Sequence, residues 1–402
     1  MASASKTTSA FLGAALVSAA MALPSVQFAY ADAPPERGTI SLKYLNYQDS
    51  QTGDTAVTAG MSRDRIAVNA LSMMVVAPIA GEWSIGASFM EDSITGASPA
   101  YHSSGFPATK AVSGASGELR HAGDLNLTRY LSKGSVTFGT SYSKESDYIS
   151  RGASLQGSLS TEDKNTTFTL GGSFSDDTIK LDAPNVVAVK KRDGDEQKHV
   201  VAGLFGVTKV LSKSDIVQFN LGYSNGTGYF TDPYKDPDNR PRDRNNTTVL
   251  TRWNHHFNGT DGTARLSYRY YTDTFGIRAH TLGAEYVQPL QNSWTLTPLF
   301  RLYIQSEADF YVSASDAEKA DPSRATQPPA GDLYYTEDQR LSAFGALTAS
   351  VKISKQLNKD WLVDLKLEKY EQRENWGLNG KGDPGVAAFH AQSVQAGVSR
   401  EF

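Results

Sequence analysis

The segment A-R-L-S-Y-R-Y, residues 264–270, decides the fold class because its side chains alternate strictly between two types. Apolar and aromatic residues occupy one set of positions and polar residues the other: Ala264, Leu266, Tyr268 and Tyr270 against Arg265, Ser267 and Arg269. Successive side chains of a β-strand point to opposite faces, so this period of two predicts a strand with one apolar and one polar face.

The same alternation recurs along the chain, for example in residues 135–142, 168–174, 217–223 and 361–368. About sixteen such segments are predicted, most of about 10–16 residues. They start near residues 39, 62, 82, 117, 134, 151, 165, 197, 215, 246, 262, 277, 293, 338, 360 and 387. Soluble strands usually have about five or six residues. A tilted membrane-spanning strand needs about 9–11 residues plus its interfacial ends, which fits these segments better.

The connections between these segments alternate in length. Short polar turns are predicted at 80–82, 131–134, 161–165, 211–215, 258–262, 291–293 and 357–360. Most of the other connections are longer, at 50–61, 93–116, 178–196, 230–245, 312–337 and 375–386, with short exceptions near 149–151 and 274–276. Short turns at one end and long loops at the other are typical of an antiparallel outer-membrane β-barrel.

Aromatic residues support a membrane location. Trp83, Trp294 and Trp361 each follow a short turn, which predicts an aromatic belt at that membrane interface. The terminal Phe402 shares a face with apolar residues of the last segment, as in strands that the barrel-assembly machinery recognises. Arg400 departs from that apolar pattern, and we expect its side chain to reach the interface.

The first residues predict export. A short positive start, an apolar run and small residues before Asp32 are typical of a secretory signal peptide, so residues 1–31 are assigned to it and residues 32–402 to one barrel domain. The absence of cysteine from all 402 residues excludes disulfides and thiolate sites. A net charge of -4 gives no indication of nucleic-acid binding.

A secreted β-sandwich or propeller also produces alternating strands. Strand length, the alternation of turns with loops and the terminal Phe402 together favour the barrel.

Several specific segments resemble an uncharacterised Gram-negative outer-membrane β-barrel family, domain of unknown function 3570. They are D-S-I-T-G-A-S-P (92–99), T-D-P-Y-K (231–235), N-R-P-R-D-R (239–244), S-Y-R-Y-Y-T-D-T-F-G-I (267–277), H-T-L-G-A-E-Y-V-Q-P-L (280–290) and Y-I-Q-S-E-A-D-F-Y (303–311). The resemblance covers nearly the whole mature chain and implies an outer-membrane barrel without an assigned activity. It also suggests a periplasmic lipoprotein or redox partner.

Charged residues are predicted on the lumen face. The candidates are Arg120, Asp124, Arg252, Arg265, Arg269, Glu285, Arg301, Asp364, Lys366 and Glu368. We expect Arg265, Glu285 and Arg301 to come together on three successive strands. Such charges need water or partners, so they indicate either a hydrated, charge-selective channel or a salt-bridge network that plugs the barrel.

Two loop segments are candidate sites. Asp92, Ser93, Thr95 and Gly96 are predicted at the start of a long loop, which either narrows the outer mouth or covers its rim. Residues 232–243 are rich in aspartate, but they lack the ligand order of a calcium-binding loop and contain neutralising arginines, which favours a solvated loop. His255 and His256 are adjacent, so a strand sends them to opposite faces, which argues against a shared metal.

The sequence therefore predicts a porin-like channel in the outer membrane, in contact with its lipids, without enzymatic activity, cofactor or metal. The first alternative is a non-conducting barrel that anchors or threads a periplasmic partner. The second is an outer-membrane lipid hydrolase, which requires a serine and a histidine within hydrogen-bond reach on the outer wall. No G-x-S-x-G motif is present to support the hydrolase.

Overall fold

A computed structural model describes residues 33–51, 64–98, 113–114, 118–181, 194–233, 238–313, 333–380, 382–383 and 388–402. The assigned signal peptide, residues 1–31, lies outside the described residues. No helix within the described part of the chain has the length and apolar character needed to cross a membrane.

Sixteen long antiparallel strands form a closed barrel in the described residues. They are β1 (Thr39–Gln51), β2 (Asp64–Ala80), β3 (Trp83–Ser98), β5 (Glu118–Leu131), β6 (Gly134–Lys144), β7 (Tyr148–Ser160), β8 (Thr166–Ile179), β9 (Glu196–Val210), β10 (Asp215–Gly228), β12 (Asp243–Phe257), β13 (Gly262–Asp273), β14 (Arg278–Pro289), β15 (Trp294–Gln305), β17 (Phe344–Gln356), β18 (Trp361–Arg373) and β19 (Phe389–Glu401). Three further strands have two residues each: β4 (Ser113–Gly114), β11 (Asp238–Asn239) and β16 (Tyr335–Thr336).

The first and last strands close the barrel. β1 pairs with β19 from Thr39 opposite Glu401 to Gln51 opposite Phe389. Closure satisfies the backbone groups that an open sheet edge would expose to lipid. The predicted all-β barrel of about sixteen strands is confirmed.

The two ends of the barrel differ as predicted. At the short-turn end, the strands are joined by residues 81–82, 132–133, 161–165, 211–214, 258–261, 290–293 and 357–360. The other end, the long-loop end, has only two short connections, 145–147 and 274–277. The first of these was expected near 149–151 but lies earlier, because β7 already begins at Tyr148.

Two predicted boundaries at the long-loop end were wrong. β17 begins at Phe344 instead of near residue 338, because Gln339–Leu341 form a 3-10 turn that Asp338 caps. β3 continues to Ser98, so Asp92, Ser93, Thr95 and Gly96 are strand residues and not the start of a loop. β2 has 17 residues against 16 in β3, and its Ile66 and Ala67 pair with Gly96 and Thr95, so the ladder between the two strands continues past Asp92.

The outward face carries the apolar side chains. Large exposed residues such as Leu170 (69%), Leu155 (58%) and Leu282 (54%) alternate with polar residues that point inward. A continuous apolar band that faces away from the barrel interior is the surface that lipid covers in such barrels.

The predicted aromatic belt residues lie at the short-turn end. Trp83, Trp294 and Trp361 are each the first residue of a strand. Each ring has a cation over it from the neighbouring strand, at 5.5 Å (Arg129), 4.6 Å (Lys355) and 5.4 Å (Arg400). Phe402 follows β19 beside Gly38, where a Cβ would lie 2.5 Å from its ring.

Candidate lumen site

The strand registers place all ten predicted lumen residues on the face opposite the apolar band. They are Arg120, Asp124, Arg252, Arg265, Arg269, Glu285, Arg301, Asp364, Lys366 and Glu368. The structure nevertheless separates them into groups with different surroundings.

Arg120 lies in a buried ion pair near the long-loop end. Its guanidinium is 2.8 Å from the carboxylate of Asp92 on β3, and the two side chains are 8% and 0% exposed. This buried, hydrogen-bonded pair links the side chains of β3 and β5. It does not present a free charge to water.

The predicted cluster of Arg265, Glu285 and Arg301 forms only in part. Arg265 donates to Glu285 at 2.8 Å, because the two residues are direct neighbours on β13 and β14. Arg301 stands opposite Gly283, one register step away, and no ion pair joins it to Glu285 among the described residues. Arg269 donates to the hydroxyl of Thr281 at 3.4 Å.

The charged residues of β18 form a second group. Lys366 donates to Glu368 at 2.7 Å. Asp364 stands opposite Gly397, which itself stands opposite Lys43 on β1. A Cβ on Gly397 would lie 2.4 Å from the Asp364 carboxylate, so the glycine leaves that side chain room to lie across the strand towards Lys43.

Small polar residues line the opposite side of the lumen. Asp124, Ser141, Ser154 and Ser173 on β5 to β8 point inward and are exposed to water. β6 lies eight steps from β15 in the strand order, so this hydroxyl wall faces the charged residues across the barrel.

Part of the inner face is not hydrated. Leu45, Ile66, Val68 and Ala70 on β1 and β2 point inward and form a cluster that is 0–2% exposed. Their registers place them on the same face as Lys43 and Asp92. This part of the inner face, on β1 and β2, is therefore closed to water.

Sequence reasoning missed a set of inward tyrosines near the long-loop end. Each donates its hydroxyl to an acidic or amide side chain two residues later on the same strand. The pairs are Tyr47 with Asp49, Tyr271 with Asp273, Tyr303 with Gln305 and Tyr370 with Gln372, at 3.0, 2.8, 2.6 and 2.8 Å. The pattern Tyr-x-Asp/Gln recurs at strand ends in the sequence, and this pattern could have predicted the pairs.

Asp238 of the aspartate-rich loop is buried, which corrects the interpretation of this loop as solvated, whereas Arg242 and Asp243 are exposed. Arg240 donates to Asp238 at 2.7 Å and to Asp338 at 2.8 Å, and both carboxylate side chains are 0% exposed. Burial raises the pKa of Asp238, an effect that Arg240 opposes. Burial would lower the pKa of Arg340, but Asp338 and Asp232 outweigh it and raise that pKa.

No metal site appears at this loop or elsewhere in the described residues, where no group of three or more His, Asp or Glu side chains is arranged to hold an ion. Asp236, part of the calcium interpretation, lies outside them. His255 and His256 point to opposite faces of β12, as their register requires. His255 contacts Asp215 at 2.7 Å, whereas His256 approaches Asp261 at 3.6 Å.

One serine–histidine hydrogen bond lies on the outward face. The Ser50 hydroxyl is 2.9 Å from Nε2 of His390. Glu371 is the cross-strand neighbour of His390, but its recorded hydrogen bonds come from Arg373, at 2.8 Å from Nε. In the described part of the chain, no third group orients this histidine as a hydrolase would require.

One family model matches most of the chain. The family model described as "Protein of unknown function (DUF3570)" matches residues 13–393. No curated protein matches the sequence.

Solved outer-membrane proteins are similar in shape. The siderophore receptor PirA from Pseudomonas aeruginosa has 10% identity and a TM-score of 0.45, over 90% of this chain and 62% of its own. A bacterial polysaccharide outer membrane secretin has 9% identity and a TM-score of 0.49, over 91% and 98%. OccD3 (OpdP) from Pseudomonas aeruginosa has 9% identity and a TM-score of 0.41, over 92% of each. The chain thus spans less than two thirds of the length of the siderophore receptor.

Proposed function

Because this chain belongs to the family described as protein of unknown function (DUF3570), we propose its function from its own residues: a passive, porin-like outer-membrane channel for small polar or charged solutes. The observation that carries the proposal is the pair of water-exposed walls inside the barrel. Asp124, Ser141, Ser154 and Ser173 line one wall, and Arg265 and Arg269 lie on the other.

A barrel of sixteen strands supports this proposal through its width. Barrels of sixteen to eighteen strands leave an interior that side chains do not fill, whereas eight-stranded barrels are filled. Hydroxyl and charged groups replace part of a solute's hydration as it passes, so the lining selects by size and charge without a conformational cycle or a cofactor.

The experiment is single-channel conductance of the purified, folded protein in a planar bilayer. We expect steady currents whose ion selectivity changes in Arg269→Ala and Glu285→Ala. Lys209→Ala, which removes a charge from the outward face of β9, is the control and leaves selectivity unchanged. Absence of conductance from protein whose gel mobility shows a folded barrel contradicts the proposal.

A second candidate is a non-conducting barrel that anchors or threads a periplasmic lipoprotein or redox partner. The observation that favours a non-conducting interior is the water-excluded inward cluster of Leu45, Ile66, Val68 and Ala70, which lies near the long-loop end. Purification after mild cross-linking in the native membrane tests it. A stoichiometric periplasmic protein, together with no conductance, supports this candidate over the channel.

A further inference from the structure

We propose that the outward face of the short-turn end binds a phospholipid with two phosphate groups, diphosphatidylglycerol, at Lys355 and Arg400. The site lies on the lipid side of the wall, so the inference goes beyond the proposed channel and does not depend on whether the barrel conducts. The short turns of outer-membrane barrels face the periplasm, which places this lipid in the periplasmic leaflet.

Two cations and two tryptophans form one patch on four neighbouring strands. Trp294 on β15 stands opposite Lys355 on β17. Trp361 on β18 stands opposite Arg400 on β19. Lys355 is also opposite Val363, two residues along β18 from Trp361, so the two pairs are diagonal neighbours. We call these four residues the tryptophan–cation patch, and all of them point outward, on the face that carries the apolar band.

Each cation of the patch lies over a tryptophan ring. The ammonium of Lys355 is 4.6 Å from the ring centre of Trp294. The guanidinium of Arg400 is 5.4 Å from the ring centre of Trp361. Adjacent strands lie about 4.8 Å apart, so about 10 Å separates the strands that carry the two cations. A headgroup with two phosphates on one linker can contact both cations at that separation without moving either from its ring, which favours it over a single phosphate.

The outward residues beside the two cations are apolar. Val363 and Leu357 flank Lys355, and Ile40 and Val398 flank Arg400. Neither cation has an ion pair with a described residue. Their charges are therefore available to a ligand that approaches from the membrane.

Two acidic side chains of the same end are held by another arginine. Asp360 in the turn and Glu401 at the end of β19 both pair with Arg37. The pKa of Asp360 is lowered mainly by the hydrogen bond from Arg37, and the charge of Arg400 makes the smallest contribution. The patch thus keeps an excess of positive charge, which favours a lipid of net negative charge over a zwitterionic lipid whose own ammonium balances its phosphate.

The apolar band begins next to the patch and offers a surface to the acyl chains. Val351 and Ile353 on β17 and Leu365 and Leu367 on β18 are 38–48% exposed on the outward face. Tryptophans of membrane proteins lie at the level of the lipid headgroups, so the two cations lie at the level of the phosphates. Charge and apolar contact therefore act on the same lipid molecule.

The first measurement is native mass spectrometry of the folded protein in detergent, titrated with diphosphatidylglycerol, phosphatidylglycerol or phosphatidylethanolamine. We expect the wild type to retain one diphosphatidylglycerol. Lys355→Gln with Arg400→Gln is expected to weaken this binding by at least about tenfold, because it removes both charge-assisted partners and keeps hydrogen-bonding side chains. Gel mobility of the unheated protein confirms that the double variant has folded.

Arg129→Gln is the matched control. Arg129 also lies over a tryptophan at the short-turn end, 5.5 Å from the ring centre of Trp83. It lies on β5, however, and β1, β2 and β3 separate that strand from β19. We expect the control to bind diphosphatidylglycerol as the wild type does.

Three outcomes overturn the inference. They are unchanged binding by the double variant, equal retention of phosphatidylethanolamine by the wild type, and equal binding of phosphatidylglycerol at the same phosphate concentration, which would show that one phosphate is sufficient.

The second measurement is the midpoint of thermal unfolding in detergent, with and without diphosphatidylglycerol. A ligand that binds only the folded state raises this midpoint. We expect a rise for the wild type and for Arg129→Gln, and no rise for the double variant. An equal rise for all three proteins contradicts the site. A protein that binds the lipid but does not conduct contradicts the channel alone, and a conducting protein without lipid binding contradicts the lipid site alone.

Discussion

Arg240 and Arg340 show how much of the long-loop end depends on single side chains. They join Asp232 and Asp238 from one loop to Asp338 from another, and β11 pairs with β16 beside them. The adjacent cluster of Phe275, Ile277, Ala308 and Leu341 is 1–4% exposed. These loops thus form a small folded unit with its own core and its own buried charges.

Replacing Arg240 by alanine is expected to loosen this unit. The change leaves Asp238 and Asp338 buried with less positive charge, and breaking a buried ion pair costs about 3–5 kcal/mol. Limited proteolysis of the folded protein measures the effect as faster cleavage in residues 228–243 and 333–344. Arg242→Ala is the control, because the Arg242 side chain is 55% exposed and its pair with Glu196 contributes about 0–1 kcal/mol. Equal cleavage of the two variants contradicts the expectation.

The sequence pattern predicts where the Arg400 side chain lies but not which residue it contacts. The sequence shows a charged side chain in an apolar series and predicts that it reaches the interface. Its partner is decided by tertiary structure: β18 lies beside β19, and Arg400 stands directly opposite Trp361 and covers its ring. An aromatic face attracts a cation and leaves the guanidinium access to water, which suits the membrane interface.

At the scale of strands, alternation determines which face meets lipid. β8 shows this clearly, because Phe168, Leu170 and Phe174 point outward, whereas Thr169 and Ser173 point into the lumen. A shift of one residue would exchange the two faces of the whole strand, so register is fixed strongly wherever one face is apolar.

Two adjacent substitutions test this assignment. Leu170→Lys places a charge in the lipid-facing band and is expected to cost about 2–4 kcal/mol in folding free energy. Thr169→Lys places the same charge on the inward face, beside Gly206, and is expected to cost far less. Urea unfolding from phospholipid vesicles measures both. If the two variants are destabilised equally, the inward and outward faces of β8 are assigned wrongly.

Strand ends were less predictable than strand interiors. The polar Asp92 and Ser93 suggested that β3 had ended, yet the ladder continues because β2 and β5 supply partners on both sides. Near residue 338 the alternation continues through Gln339–Leu341, but Asp338 accepts a hydrogen bond from the Arg340 backbone and caps a 3-10 turn. Outside the membrane, water hydrogen-bonds to the backbone N–H and C=O groups as well as a neighbouring strand does. The alternating pattern therefore no longer determines where a strand ends.

At the scale of the whole molecule, pairing of the first strand with the last closes the sheet into a barrel. β1 and β19 are far apart in sequence but form a continuous antiparallel ladder, in which Leu42 stands opposite Val398. Around the barrel, this closure leaves only β19 between the strand pair that carries the apolar inward cluster, β1 and β2, and the charged residues of β18. The inner surface is therefore divided into a water-excluded side and a hydrated side.

Cross-linking tests closure directly, because the natural chain has no cysteine. A variant with Leu42→Cys and Val398→Cys is expected to form a disulfide on mild oxidation, since directly opposed strand residues have Cα atoms about 4.5–5.5 Å apart, within disulfide range. Leu42→Cys with Leu365→Cys is the control, because β19 lies between those two strands. Failure of the first pair to cross-link in folded protein contradicts a closed barrel.

The sequence by itself determined the closed barrel class, the approximate strand number, the alternation of short turns with long loops and the inward face of every predicted charge. Those features follow from a period of two and from local turn chemistry, which neighbouring residues encode. Only the tertiary structure decided which charges are paired, that Arg120 is buried against Asp92, and that Arg252 and Arg301 share a row across Ser267 and Gly283. Lateral neighbours depend on register between distant strands, and that register is set by the closure of the whole sheet.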